Sequence, residues 1–212
     1  MQLELPTVFD QKAIDRGMSY HDYRNMLDHL FAEGKTTGEN QSNQMLNYAK
    51  LNIQRMSRLD KTIELSDALM HKLQCIEFKK DKLLFVVLTE GWCGDAAQNL
   101  PLIHKISETH KQIELVLLLR DENLNIMDQF LTNGGRSIPK LIAVRNSDLK
   151  VLGTWGPRPE VAQEMVREFK KIPNGDYQEF VKGLQLWYAK DKTLAHQQEM
   201  IELLDEFASA FE

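Results

Sequence analysis

The sequence predicts an α/β protein, a central mixed sheet flanked by helices, with further helices added before and after it. Three observations carry this. Between about residues 82 and 155, short apolar strands alternate with helical patterns. On either side, residues 7 to about 75 and the stretch after Trp155 read as helical almost throughout. Between them, the run Thr89-Glu90-Gly91-Trp92-Cys93-Gly94-Asp95-Ala96 puts a cysteine where a buried strand turns into a helix.

Ser19-Tyr20-His21-Asp22 fits a capping box and opens an amphipathic helix through Tyr23, Met26, Leu27, Leu30 and Phe31, stopped by Gly34. Residues 35–41 are polar and rich in turn formers. A second helical pattern runs through Met45, Leu46, Ala49, Ile53, Met56 and Leu59, and a third runs from Thr62 toward Leu73. Residues 83–88 are six unbroken apolar residues and predict a buried strand. Helices are predicted over 96–110 and 123–131, with a strand over 113–119 between them. Residues 141–144 and 151–154 predict a hairpin around Asn146-Ser147-Asp148. The last helix, 199–211, carries Met200, Leu203, Leu204, Phe207 and Phe211 along one stripe. Such stripes must be buried, because isolated helices of this length are marginal in water. No heptad repeat is sustained, so the expectation is packing within one chain and a monomer.

Acidic residues outnumber basic ones by 31 to 26 in 212 residues, a net charge of −5. That balance argues against a nucleic-acid or anionic-membrane partner. The longest apolar runs are strand-sized, so no membrane span is expected. Met1-Gln2-Leu3-Glu4-Leu5-Pro6 has neither the basic region nor the apolar stretch of a signal peptide. Two cysteines, Cys75 and Cys93, do not make a disulfide framework. These features predict a soluble cytoplasmic protein. No Cys and His spacing fits a metal site, and Gly134-Gly135 reads as a turn rather than a phosphate loop. Neither metal nor cofactor is expected.

Trp92-Cys93-Gly94 is followed by Pro101, nine residues after Trp92, and by Gly135-Arg136-Ser137-Ile138-Pro139 ahead of Leu141-Ile142. Gly156 follows Trp155. With the element order, these residues resemble the thioredoxin family over about residues 70–172. The resemblance implies a thioredoxin-like domain over 70–172, a helical N-terminal extension over 1–69 packed on it, and a C-terminal helical extension over 173–212. It implies a cis peptide bond before Pro139, facing the active-site turn. It also implies a nucleophilic Cys93 bordered by Trp92, Gly94, Asp95, Ile138, Pro139, Trp155 and Gly156.

The departures from the family change the chemistry. Ala96 stands where the family has its resolving cysteine, and Asp95 where it has a proline. Val87, six residues before Cys93, stands where the family has a buried aspartate that helps proton transfer. An intramolecular Cys-x-x-Cys disulfide is therefore impossible. Chains reading Trp-Cys-Gly-Asp are similar to a thioredoxin-like subgroup that carries a helical N-terminal extension.

A cysteine at a helix N-terminus is favoured as thiolate, while the charge of Asp95 opposes that. The balance predicts a Cys93 pKa modestly below that of a free thiol. Asp95 otherwise reads as a helix-stabilising acid in the first turn. Cys75, among Leu73, Ile76 and Phe78, reads as a core cysteine. His104 lies eleven residues past Cys93, about 16 Å along a helix, too far to act as its base. His21, His29, His71, His110 and His196 read as surface or partly buried. Arg136 and Arg158 are candidates to orient a carboxylate, for example of a low-molecular-weight thiol, but read more simply as solvated.

Two functions remain open. In one, Cys93 performs monothiol thiol–disulfide exchange on a protein or low-molecular-weight thiol or disulfide, and a second thiol from solution resolves it. In the other, the chain is a catalytically inactive binding module using the groove beside Cys93 and Pro139.

Overall fold

The computed structural model describes residues 8–211; residues 1–7 and 212, and with them the expectation drawn from the first six residues, lie outside the described residues. The chain begins with α1 (Gln11–Asp15), α2 (Tyr20–Ala32), α3 (Asn43–Thr62) and α4 (Asp67–Cys75). Each starts at a polar cap. Asp10 accepts from the Ala13 N–H, Ser19 from Asp22, Ser42 from Met45 and Ser66 from Leu69. These bonds satisfy backbone donors that the first turn leaves free. The Ser66 cap explains why the fourth helix begins at Asp67 rather than at Thr62. Its own N–H is held by the Gln197 side chain at 2.7 Å, so residues 63–66 form a connector.

The middle of the chain supplies β1 (Leu83–Thr89), α5 (Gly94–Thr109), β2 (Ile113–Leu119), α6 (Leu124–Met127), β3 (Lys140–Arg145) and β4 (Val151–Trp155). The sheet order is β2-β1-β3-β4, with β1 parallel to β2 and antiparallel to β3, and β3 antiparallel to β4. All seven residues of β1 are buried, as a strand covered on both faces requires. The edge of β2 is shielded by Met18, which exchanges two backbone hydrogen bonds with Leu117. One element is shorter than its sequence pattern. α6 is a single turn, not a helix over 123–131, because the chain tightens to three-residue bonds after it: Gln129 N–H to Ile126 O and Phe130 N–H to Met127 O. Those tight turns lead it back toward Pro139.

Three more helices follow: α7 (Glu160–Lys170), α8 (Tyr177–Asp191) and α9 (Leu194–Ser209). The stripes of the added helices are buried inside the chain. Tyr23 and Leu27 of α2 and Met56 of α3 join the same core as the sheet. Phe207 of α9 meets the Phe85 ring edge-on, and Phe211 lies against Phe78. Gly153 gives Phe207 its room: a Cβ there would come within 2.6 Å of the ring. α7 and α8 differ. Ala162, Leu184 and Tyr188, with Met165, Val166, Phe180 and Trp187, form a small core of their own. No helix among the described residues is long and apolar enough to cross a membrane.

Candidate functional site

Cys93 is the N-cap of α5. Its sulfur accepts the Ala96 N–H at 3.4 Å, and its S–H donates to the Ile138 carbonyl at 3.3 Å. Sulfur and proline segment thus meet across the end of the sheet. The Ile138–Pro139 peptide bond is cis, and so is Gly156–Pro157, which the sequence pattern does not single out. Gly156 has φ of +110°, and a Cβ there would run into the Pro139 carbonyl oxygen. Only glycine fits that approach.

The turn before Cys93 is gripped by the α2–α3 loop and by α3. Thr37 Oγ1 accepts the Gly91 N–H at 2.8 Å, and Asn52 Nδ2 donates to the Gly91 carbonyl at 3.0 Å. Trp92 lies half-buried under the Arg120 guanidinium, 4.9 Å from it. Trp155 turns elsewhere. Its ring stacks on His196 at 3.8 Å, and its N–H donates to Glu199 at 2.6 Å.

Asp95 is more than a helix-stabilising acid. It is buried, pairs with the Arg158 guanidinium at 2.6 Å, and accepts the Tyr188 hydroxyl at 3.0 Å. Arg158 is therefore not a solvated arginine. Arg136 does lie exposed, in a two-pronged pair with Asp128. Burial pushes the Asp95 carboxyl above its ordinary value, against the pull of Arg158 and Tyr188. Around the same helix end, Gln98 donates to Gln185 at 2.7 Å, and Asn99 donates to the Tyr188 oxygen at 3.3 Å. Arg55 of α3 and Gln185 of α8 both approach Gly94.

The thiol is covered, at 8% exposure. Burial first, and the Asp95 charge second, push the Cys93 thiol up to about 12, against the backbone N–H groups of Ala96 and Asp95. The sequence-level expectation of a pKa below the free value is thus reversed. Helix-end stabilisation is outweighed by loss of water.

Cys75 is also corrected. It lies exposed at the end of α4, not in the core. His196 is 1% exposed and His110 is buried as well, with a ring nitrogen 3.1 Å from the Ile76 carbonyl. Position 87 is valine, with no buried acid there, but Glu90 in the turn itself is fully buried. Its carboxylate accepts the Asp121 N–H at 2.9 Å, and burial pushes its pKa up. Glu90, Thr37, Asn52, Gln185 and Tyr188 carry no motif that would have marked them.

A family model described as thioredoxin matches residues 38–170. Among solved structures, the chain is similar to a protein of unknown function from Pseudomonas aeruginosa, with a TM-score of 0.60 and 19% identity over 92% of this chain and 95% of that one. It is also similar to an HIV epitope scaffold, with a TM-score of 0.53 and 18% identity over 89% of this chain and 98% of that one. No curated protein matches it. At such identities the two structures speak for the fold alone. The family match takes in most of the chain, including the Cys93 turn, the Pro139 segment and all four strands. The chain belongs to the thioredoxin family and has an α/β thioredoxin-like fold with added helices.

Proposed function

We propose that the protein is a single-thiol exchange protein acting through Cys93 on disulfides of proteins or low-molecular-weight thiols. The supporting observation is the placement of the sulfur at the first turn of α5, between the Ala96 N–H and the Ile138 carbonyl. The helix-end N–H groups favour a thiolate once water reaches it, and backbone beside Pro139 suits an extended partner. In the first step the Cys93 thiolate bonds to one sulfur of the substrate disulfide. That disulfide breaks, and the displaced thiolate takes up a proton. A second thiol from solution then attacks the new bond, and Cys93 leaves as thiolate. With a thiol pKa of about 12, the thiolate fraction at pH 7 is on the order of 10⁻⁵, so exchange belongs to a form in which the thiol is uncovered. The reading takes 70–172 as the unit that bears the site, bordered by Trp92 and Gly94, and a monomer in a reducing compartment such as the cytoplasm.

A second reading, binding without turnover, draws support from the burial of Cys93 and from Ala96. The test is glutathione-dependent reduction of hydroxyethyl disulfide. Turnover kept in Cys75→Ser and lost in Cys93→Ser, with a mixed disulfide on Cys93 seen by mass spectrometry, is the expected result. Neither turnover nor adduct in the intact protein would leave the binding reading.

A further inference from the structure

The floor and the flank of the Cys93 site are held by different forces. The floor is the continuous apolar core under β1 and α5. Beside it, against Gly94, Asp95, Gln98 and Asn99, lies α8, whose apolar contacts are made to α7, in a small core separate from that of the sheet. The side-chain bonds from α8 to α5 are polar. The Tyr188 hydroxyl donates to Asp95, Asn99 donates to Tyr188, and Gln98 donates to Gln185. Such bonds exchange for water at small net cost, whereas apolar burial does not. Docking of α8 on α5 therefore rests on polar bonds rather than on shared apolar burial.

The joints of this helix are unusual too. Lys192 and Thr193, consecutive non-glycine residues between α8 and α9, have φ of 51° and 69°. Before α8, Asn174 has φ of 56°. For Lys and Thr the left-handed backbone is costly, whereas Asn adopts it readily. Short joints at element ends are where a helix can swing while its neighbours stay packed.

We propose that α8 is an autoinhibitory cover: docked on Asp95, Gln98 and Asn99 it shields Cys93, and its release without unfolding of the sheet opens the thiol to a partner. The proposal deepens the exchange reading, since it concerns access to the same sulfur, but it holds whether that sulfur turns over or only binds. Gln185 of α8 lies against Gly94, and Tyr188 bonds Asp95, the two residues that follow Cys93. Release would therefore wet the cysteine and its acidic neighbour together.

The test uses Cys75→Ser protein, in which Cys93 is the sole thiol, and 5,5′-dithiobis(2-nitrobenzoate) as probe. Each modification forms a mixed disulfide at Cys93 and releases one thionitrobenzoate. Rates are followed in urea below the unfolding transition. Local release exposes little surface, so the urea slope of the rate should be well under the equilibrium m value. Tyr188→Phe keeps the ring in the α7–α8 core but drops its bonds to Asp95 and Asn99. It should speed modification by about ten- to a hundredfold, with the urea slope of the rate still well under the m value. A slope equal to the global m value overturns the proposal, as does fast modification without urea dependence. An unchanged modification rate in folded Tyr188→Phe does so too. If Tyr188→Phe fails to fold, the urea slope of the parent protein decides. Accelerated modification without glutathione-dependent turnover would keep the cover and remove the exchange reading.

Discussion

The Tyr188 hydroxyl donates to the Asp95 carboxylate at 3.0 Å, joining α8 to the first turn of α5 across 93 positions of sequence. The same carboxylate pairs with Arg158 and stands as the second cause of the raised Cys93 pKa. One residue, at the place where the family has a proline, therefore links the cover, the ion pair and the thiol.

Asp95→Asn keeps the side-chain shape and removes the charge. The Cys93 pKa should fall from about 12 yet stay above the free value, because burial is the larger cause and persists. Stability should drop by about 3 kcal/mol, since Arg158 is left buried without its anion. Thiolate absorbance near 240 nm against pH reads the first effect and urea unfolding the second. An unchanged thiol pKa would refute the role given to the Asp95 charge.

Ala96→Cys should restore a Cys-Gly-Asp-Cys pair. The Ala96 backbone N–H already lies 3.4 Å from the Cys93 sulfur, so residue 96 sits in the same turn. Mild oxidation should remove two thiols from solution as one intramolecular disulfide, counted by mass and thiol titration. Disulfide reductase activity should be weak, because the thiol site remains covered. Two thiols that persist after oxidation would mean that the turn differs from that of dithiol thioredoxins.

His196 is held neutral by burial, which lowers its pKa from 6.5 to about 3. A folded-state pKa depressed below the unfolded one gives stability that is present above pH 6.5 and lost as pH falls toward 3. The loss is about 1.4 kcal/mol per pH unit, from the protons that only the unfolded chain binds. Asp95 and Glu90, with raised values, act in the opposite sense and are common to both proteins. His196→Leu should therefore be relatively more stable at pH 4.5 than at pH 7, by about 2–3 kcal/mol in the difference. Urea midpoints at the two pH values that shift equally in both proteins would contradict it.

Asn52 is fully buried and divides its amide between the Gly91 carbonyl and Arg55. Asn52→Ala leaves both without that partner and should cost about 1–3 kcal/mol. Amide exchange in the turn 90–93 should quicken more than in β1, because the turn loses a clamp while the strand keeps its ladder. Uniform quickening across both would show a global effect instead.

Much of the fold was legible because it rests on local patterns. The six-residue apolar run marked β1, the Ser19 capping box marked the start of α2, and Asn146-Ser147-Asp148 marked the hairpin between β3 and β4. The Cys93 turn and the Ile138–Pro139 segment were equally visible, since their chemistry lies in adjacent residues. Cys75 shows where locality misleads. Its apolar neighbour Leu73 is buried, but two residues further on is about 200° around a helix, so Cys75 faces water.

The sequence by itself determined the strand, the turn, the single thiol and the absence of its resolving partner, because each depends on residues a few positions apart. Only the tertiary structure decided what surrounds that thiol. Asp95 meets Arg158 and Tyr188, Trp155 meets His196, and Gly91 meets Thr37 and Asn52, all through contacts between distant segments. Burial of this kind has no local signature, and it is burial that turned a helix-end cysteine, favoured as thiolate, into a covered thiol that keeps its proton.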